Sequence, residues 1–164
     1  MLEAKTESGA GSTAIVAATI AGGLTAGAAL TGAAAPPDRW YRMLRKPAFQ
    51  PPDAVFAPVW TVLYAMIAAS GFRMLRAPSS PRRSRALRAW GTQLALNAAW
   101  SPLFFRAHRP RAALLDLGLL VATTGRYVTL ARGVDRTAAA LMLPYLGWSL
   151  FALALNASIV RRNR

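Results

Sequence analysis

The stretch STAIVAATIAGGLTAGAALTGAAA, residues 12–35, contains no charged side chain. An α-helix needs about 20 mainly apolar residues to cross the hydrocarbon core of a bilayer. The apolar segment of a secretory signal is shorter, about 7–15 residues, so we interpret residues 12–35 as a spanning helix of the mature chain. Residues 1–11, which combine three charged side chains with small residues, are typical of a disordered tail.

Four further apolar stretches of similar length follow, at 55–75, 87–105, 112–131 and 138–160. Together the stretches predict an all-α membrane protein, with a single domain of five transmembrane helices over residues 12–164. The fourth stretch is the least apolar because it contains Asp116 and Arg126, which are too far apart to pair within one helix. Residues 36–54 form a long connection whose aromatic and proline residues predict a folded cap on the bundle.

The charge distribution agrees with a membrane location. Lys and Arg together number 20 and Asp and Glu 6, while 54% of the residues are hydrophobic. A basic excess is also typical of nucleic-acid-binding proteins, but here the basic residues lie between the apolar runs, as membrane-flanking charges do. We therefore expect membrane lipid, and no nucleic acid, as a partner. Cysteine is absent and the chain has one histidine, so no metal site is expected.

Small residues recur at helical spacing on two predicted helices. On the first helix Ala18, Gly22 and Ala26 lie four apart, and residues 23–27 form a GxxxG motif. Small residues let helices approach closely in lipid, so we expect the first helix to pack tightly against its neighbours. The third helix carries the same pattern at Gly91, Ala95 and Ala99. This pattern fits packing within one chain as well as a seam between two chains, and our hypothesis is a homodimer through the third helix.

Aromatic and uncharged polar residues share one face on three predicted helices. The stripes are Trp60 and Tyr64 on the second helix, Asn97, Trp100 and Ser101 on the third, and Tyr145, Trp148, Ser149, Ala152 and Asn156 on the fifth. Polar groups that face hydrocarbon are costly, so the stripes should point into the bundle. They fit an interfacial aromatic belt with asparagines that join helices. They also fit a pocket for a flat aromatic ligand, with rings to stack and polar groups to orient it.

Four separated motifs then make the sequence recognisable. They are WYRMLRKPAFQPP at 40–52, VFAPVWTVLY at 55–64, ALNAAWSPLFF at 95–105 and LPYLGWSLFA at 143–152. In this order they closely resemble the signature of the tryptophan-rich sensory protein family, also called the translocator protein or peripheral benzodiazepine receptor family. The resemblance covers nearly the whole chain after the tail, and it implies five spanning helices with a pocket between the first connection and the bundle.

The resemblance implies that this pocket binds protoporphyrin and other tetrapyrroles and, in many members, isoquinoline-carboxamide drugs, without a required cofactor. The residues that match the family's ligand-facing positions are Tyr41, Trp60, Tyr64, Asn97, Trp148 and Ala152. The spacing of the stripes adds Trp100 and Tyr145 to the candidate site. Sterol-binding members carry a tyrosine near the end of the fifth helix, where this chain has Ala157, and this departure weakens the case for sterol binding.

Three functions are compatible with these features. The first is a tetrapyrrole-binding membrane protein, without catalysis, that senses, regulates or transports porphyrins. The second is a light-dependent porphyrin-degrading enzyme, for which the resemblance implicates the indole rings of Trp60 and Trp148. The third is a membrane scaffold or lipid-binding protein whose aromatic residues only pack. A nucleotide-binding Gly-x-x-x-x-Gly-Lys loop is absent, and Asp116 is the lone acid within a predicted span, so an energy-coupled pump is not expected.

Overall fold

The computed structural model describes the backbone of residues 2–164 and the side chains of residues 11–164, and this described part is all-helical. Its helices are α1 (Leu2–Ala33), α2 (Arg39–Met43), α3 (Asp53–Arg76), α4 (Pro81–Ser101), α5 (Pro110–Ala131), α6 (Arg136–Leu141) and α7 (Leu143–Arg162). A π-helical turn, Pro102–Arg106, follows α4 directly. The tail predicted over residues 1–11 falls almost wholly outside the residues whose side chains are described, so it stays a prediction.

Four helical segments are long and apolar enough to cross a membrane. They are Gly11–Ala33, Asp53–Arg76, Pro110–Ala131 and Arg136–Arg162. The expectation of an all-α, multi-pass membrane protein is thereby confirmed, but the count of five spans is not. The third predicted span is a helix, α4, yet it begins at Pro81 rather than at residue 87. Arginines from the predicted connection therefore lie on the helix itself, and they lower its mean hydropathy.

The start of α4 and the division of the last span follow from local sequence signals. Ser80 caps α4, because its Oγ accepts a hydrogen bond of 3.1 Å from the backbone N–H of Arg83. Proline is favoured in a first helical turn, where Pro81 stands. The span predicted over 138–160 is divided at Met142 into α6 and α7. Pro144, which lacks an N–H to donate, lies in the first turn of α7.

The glycine-rich face of α1 points away from the rest of the chain. Ala18, Gly22 and Ala26 are exposed, and a Cβ added at Gly22, Gly23 or Gly27 would meet nothing within 4 Å. The expectation that α1 packs against its neighbours is confirmed by its contacts with α3 and α4, but these contacts do not use the face that carries Ala18, Gly22 and Ala26. The buried positions of α1 are Ala17, Ala21, Thr25 and Ala28. These side chains are also small. This face therefore lets α1 approach α3 and α4 as closely as the glycine-rich face would have done.

The core between α3, α4, α5 and α6 combines apolar packing with hydrogen bonds that join the helices. Trp90 is 3% exposed, and its indole Nε1 donates to the backbone oxygen of Ile67 at 3.1 Å. The Ser70 hydroxyl donates to the backbone oxygen of Ala138 at 2.7 Å and lies 2.6 Å from the Tyr127 hydroxyl. Since lipid offers no replacement for such partners, these bonds fix the positions of the four helices.

Two arginines of α4 cap the ends of other helices. Arg83 donates to the backbone oxygens of Met74 and Leu75, at 2.9 and 2.6 Å, where α3 ends. Arg82 donates to the backbone oxygen of Leu130 at 3.2 Å, where α5 ends. The last carbonyls of a helix lack partners within the helix and attract cations. We call this end of the bundle, with residues 77–80 and 132–135, the arginine end, and the opposite end, with residues 34–52 and 107–109, the cap end.

Replacing Gly71 by alanine should destabilise the bundle. A Cβ at this position would overlap the ring of Trp90, which is held in place by its bond to Ile67. Overpacking of a core typically costs about 1–3 kcal/mol, so we expect a lower melting temperature in detergent. Gly118→Ala on α5, where an added Cβ meets nothing within 4 Å, is the matched control and should melt at or above the wild-type temperature. Equal melting temperatures for the two variants would contradict the close approach of α3 and α4.

Candidate functional site

A chain of hydrogen bonds joins three helices in the half of the bundle near the cap end. The Tyr64 hydroxyl on α3 donates to Oδ1 of Asn97 on α4 at 2.9 Å. Nδ2 of Asn97 donates in turn to the Tyr145 hydroxyl on α7 at 3.1 Å. Asn97 is 8% exposed and Tyr145 is fully buried. Three of the residues predicted from the stripes therefore share one polar network inside the bundle.

Trp60 lies against this network on the side of the cap end. Its ring centroid is 5.1 Å from that of Tyr64, one helical turn away, and 6.3 Å from that of Tyr145. The first contact follows from the i, i+4 spacing on α3, and the second from the packing of α3 beside α7. Trp60 is half-buried. The Trp60 indole thus lies beside the rings of the two tyrosines whose hydroxyls bond Asn97.

Trp148 is held in a second group of rings next to Trp60. It meets Phe56 of α3 edge to face, with centroids 5.8 Å apart, and Phe151 of α7 at 5.4 Å. Phe151 also contacts Phe49 of the cap at 6.3 Å. Ala152, one turn after Trp148, is half-buried and packs against the main core. Trp148 therefore lies between the buried network and the cap, where the sequence predicted a ligand.

Tyr41 and Trp100 belong to a different aromatic cluster, around Phe104. The Trp100 ring stacks on Phe104 with centroids 5.2 Å apart and an interplanar angle of 21°. The Tyr41 ring meets Phe104 at 6.1 Å and Phe105 at 5.1 Å, in both cases edge to face. This cluster connects α2 of the cap to the end of α4. Two of the eight predicted site residues thus connect the cap to the end of α4, and Trp100 also packs against the main core.

The π-helical turn and several phenylalanines were missed by the sequence reasoning. In the turn Pro102–Arg106, Phe104 is 1% exposed while Phe105 remains half-buried. Pro102 was the available signal, because a proline within a helical pattern often marks a distortion. Phe49, Phe56 and Phe151 lie within the recognised motifs, but spacing alone did not predict their contacts with Trp148.

Polar contacts at its edge hold the cap on the bundle. Asp38 caps α2 by accepting from the backbone N–H of Tyr41 at 3.0 Å, and its Oδ2 lies 2.8 Å from Nε2 of His108. The His108 ring stacks on Trp40 with centroids 4.5 Å apart. At the other edge, Oδ1 of Asn163 accepts from the backbone N–H of Arg45 at 3.0 Å. The cap is therefore tied both to the connection before α5 and to the C-terminus.

The cap carboxylate is poised to remain ionised. The backbone N–H of Tyr41 lowers the pKa of Asp38, slight desolvation opposes this shift, and His108 lowers the pKa further. For Tyr41 itself, burial raises the pKa of the hydroxyl, the nearby Asp53 raises it too, and the hydrogen bond from Gln50 works in the opposite direction. The cap thus combines one stable negative charge with a neutral phenol.

The small residues of α4 face outward in part. Ala95 is exposed, Gly91 and Ala99 are half-buried, and a Cβ added at Gly91 would meet nothing within 4 Å. They leave a shallow strip of small side chains on the outer surface of α4.

The chemistry that these groups offer is binding rather than acid–base catalysis. Around Trp60 and Trp148 stand aromatic rings, two hydroxyls and one amide. Within residues 11–164, no group of three or more His, Asp or Glu side chains comes together in a way that would hold a metal ion. A flat, conjugated ligand with a few polar atoms matches such a site best.

Comparisons with known proteins give a consistent result. The model of the TspO/MBR family matches residues 14–162. The tryptophan-rich protein TspO of Archaeoglobus fulgidus is 40% identical over 129 residues, covering 76% of this chain and 80% of the relative. A tryptophan-rich sensory protein of Cereibacter sphaeroides is 36% identical over 138 residues, covering 82% and 84%. The human translocator protein is 38% identical over 128 residues, covering 76% and 75%.

Asp38→Asn should loosen the cap at neutral pH but not in acid. Because the folded pKa of Asp38 is lowered, its contribution is present above the unfolded pKa of about 4 and is lost as the pH falls through the folded value. Hydrogen-exchange protection of the Tyr41 amide reports this contact. At pH 6 we expect the Tyr41 amide to be less protected in the variant than in the wild type. Near pH 3 the protection in the wild type should fall to about the level of the variant.

Asp135→Asn makes the same change at the arginine end: it removes the charge of a helix-capping carboxylate, which accepts from the backbone N–H of Ala138 and pairs with Arg73. It should leave protection of the Tyr41 amide unchanged. If Asp38→Asn keeps wild-type protection at pH 6, the carboxylate does not hold α2.

Proposed function

The chain belongs to the TspO/MBR family, and we propose that it binds a protoporphyrin-like tetrapyrrole beneath the cap, in the sensing, regulation or transport of porphyrins. The observation that carries this proposal is the position of Trp60 against both tyrosines of the Tyr64–Asn97–Tyr145 network, with Trp148 one turn after Tyr145 on α7. Relatives named tryptophan-rich sensory protein and translocator protein support a role of this kind.

The physical basis of recognition is stacking combined with directional polar contacts. A tetrapyrrole macrocycle is flat and conjugated, so the indole faces of Trp60 and Trp148 offer it van der Waals and π contacts. The amide of Asn97 and the two tyrosine hydroxyls supply donors and acceptors at fixed positions. Ala152, one turn after Trp148, contributes a small apolar side chain to the proposed site. The lining is uncharged, which favours the macrocycle over a small ionic substrate.

Entry of the ligand requires movement of the cap. In the closed arrangement Trp148 contacts Phe151, and Phe151 contacts Phe49 of the cap. The polar contacts that anchor the cap, between Asp38 and His108 and between Arg45 and Asn163, lie at exposed positions. Lifting the cap breaks these contacts and separates Phe49 from Phe151. Opening the cap also separates the Tyr41 ring from Phe104. The buried network of Asn97 stays intact, so the site keeps its shape during exchange.

We include α4 as a fifth span in this proposal. The helix and the following π turn run without interruption from Pro81 to Arg106, and α4 alone is about 30 Å long at 1.5 Å per residue. Arg82 and Arg83 are bonded to carbonyl groups at the arginine end. Long basic side chains near a helix end reach the interface, so they do not prevent insertion.

Trp148→Ala should weaken protoporphyrin binding by about tenfold or more, because loss of an aromatic anchor costs about 1–3 kcal/mol. Binding is followed by porphyrin absorbance in detergent, since tryptophan fluorescence changes with the substitution. Phe72→Ala, at the far end of α3 from Trp60, is the control and should bind within about twofold of wild type. Trp90 is unsuitable as a control because it is part of the core.

Trp60→Ala and Trp100→Ala extend this test to the two aromatic clusters. If Trp100→Ala loses affinity while Trp60→Ala and Trp148→Ala bind as wild type, the ligand occupies the cluster around Phe104. Loss of porphyrin absorbance only under illumination, abolished in Trp148→Phe, would instead favour the light-dependent enzyme. Absence of saturable binding to the wild type would favour a scaffold role.

We also propose that the chain forms a homodimer through Gly91, Ala95 and Ala99 on the outer surface of α4. Small side chains allow close approach of helices in lipid, and Ala95→Leu places bulk on that surface. We expect the variant to shift toward monomer in crosslinking and size-exclusion experiments. Gly27→Leu, on the exposed face of α1, is the comparison. A shift with Gly27→Leu alone would assign the seam to α1.

A further inference from the structure

A basic groove lies between α4 and α5 at the arginine end, which is the end of the bundle opposite the cap. It is lined by Arg85, Arg88, Ala89, Thr92, Thr123 and Arg126. Three guanidinium groups thus converge on one groove formed by two membrane helices. The groove is separate from the aromatic site.

The groove arginines have no acidic partner within residues 11–164. The ion pairs of that part of the chain join Arg73 to Asp135 and His108 to Asp38. Arg85 makes a single bond of 3.3 Å, to the backbone oxygen of Pro81. Arg82 and Arg83, in contrast, satisfy several carbonyl groups. Like charges brought together without a counterion repel, so the groove favours an anion.

The positions of the three arginines along α4 and α5, and the directions in which their side chains lean, place the groove near the level of lipid headgroups. Arg126 lies five residues before the end of α5, about 8 Å along the helix axis, and Arg85 lies about 6 Å after the start of α4. Side chains lean toward the N-terminus of their own helix. Because α4 and α5 run in opposite directions, Arg85 and Arg88 lean toward the arginine end, while Arg126 leans toward the membrane centre. Their guanidinium groups therefore approach the groove from two directions.

The surface below the groove is apolar. Leu115 and Leu119 are 73% and 60% exposed, and with Ala122 and Arg126 they form one exposed stripe along α5 at helical spacing. The stripe changes from aliphatic to cationic as it reaches the arginine end. A phospholipid has the same order, with acyl chains toward the membrane centre and a phosphate at the interface.

We propose that this groove binds the phosphate of an anionic phospholipid, with one acyl chain along Leu115 and Leu119. Arginine forms paired hydrogen bonds with phosphate oxygens, and basic pockets between transmembrane helices recognise anionic headgroups. The hydroxyl of Thr123 adds a donor at the floor, and the buried Ala89 leaves space. The apolar stripe favours a lipid over a soluble phosphate, which would gain nothing from it.

The test uses the delipidated full chain in neutral detergent, titrated with dioleoyl phosphatidylglycerol or dioleoyl phosphatidylcholine and followed by native mass spectrometry. We expect one phosphatidylglycerol to bind at least about tenfold more tightly than phosphatidylcholine. Arg88→Gln with Arg126→Gln should remove this preference. Arg132→Gln, which removes one charge from the same end outside the groove, should keep it within about twofold.

The proposal is overturned if the wild type shows no preference for phosphatidylglycerol, a measurement that needs no variant. It is also overturned if a folded double variant retains the preference. Inorganic phosphate is the second probe, and displacement of phosphatidylglycerol by equimolar phosphate would assign the groove to a soluble anion instead. Arg88→Lys with Arg126→Lys keeps the charges but loses the paired hydrogen bonds, so an intermediate affinity is expected. The proposal of porphyrin binding does not depend on the result of this experiment, because the groove and the aromatic site share no residue.

Discussion

Asn97 is the residue on which the half of the bundle near the cap end depends. Its side-chain oxygen accepts from Tyr64 on α3, and its nitrogen donates to Tyr145 on α7, so one amide sets the spacing of three helices. Lipid has no group that can replace either bond, and opening the network would leave buried polar atoms unpaired. Trp60 rests on both tyrosines. The position of the indole thus follows from the polar network beneath it.

The same requirement distinguishes structural charges from functional ones at the arginine end. Arg82 and Arg83 are bonded to the last carbonyls of α5 and α3, which need partners in any membrane helix. Ser70 performs a comparable task inside the core by bonding Tyr127 and Ala138. Once these assignments are made, the groove arginines remain as charges without a structural task among the described residues. What singles them out from the other basic residues of this end is that all three line one groove.

The sequence was most informative where local geometry decides the outcome. The grouping of Trp60, Tyr64, Asn97 and Tyr145 followed from helical spacing and from the cost of polar groups in lipid. The packing face of α1 did not follow, because its alanine stripe and its glycine stripe are equally compatible with close approach. The stacking of Trp100 on Phe104 did not follow either, because Phe104 lies in a π turn that helical spacing does not predict. The early start of α4 was readable in Ser80 and Pro81, but the arginines that follow them obscured it.

At the cap end, the cap and the Tyr64–Asn97–Tyr145 network beneath it are held in place by different kinds of contact. This difference bears on the proposed exchange of ligand. The polar contacts at the edge of the cap join groups that are largely exposed, such as Asp38 with His108, and water replaces such contacts at little cost. Ring contacts of Tyr41 with Phe104 and Phe105 add apolar packing between the cap and the end of α4. The network below the cap is buried, where replacement is expensive. Under the proposed function we expect motion at the cap, where Phe49 is the ring contact with the Trp148 group. A cap that opens over a buried network would admit a large flat ligand while Trp60 and Asn97 keep their positions, so that the free energy of binding is not spent on rebuilding the site.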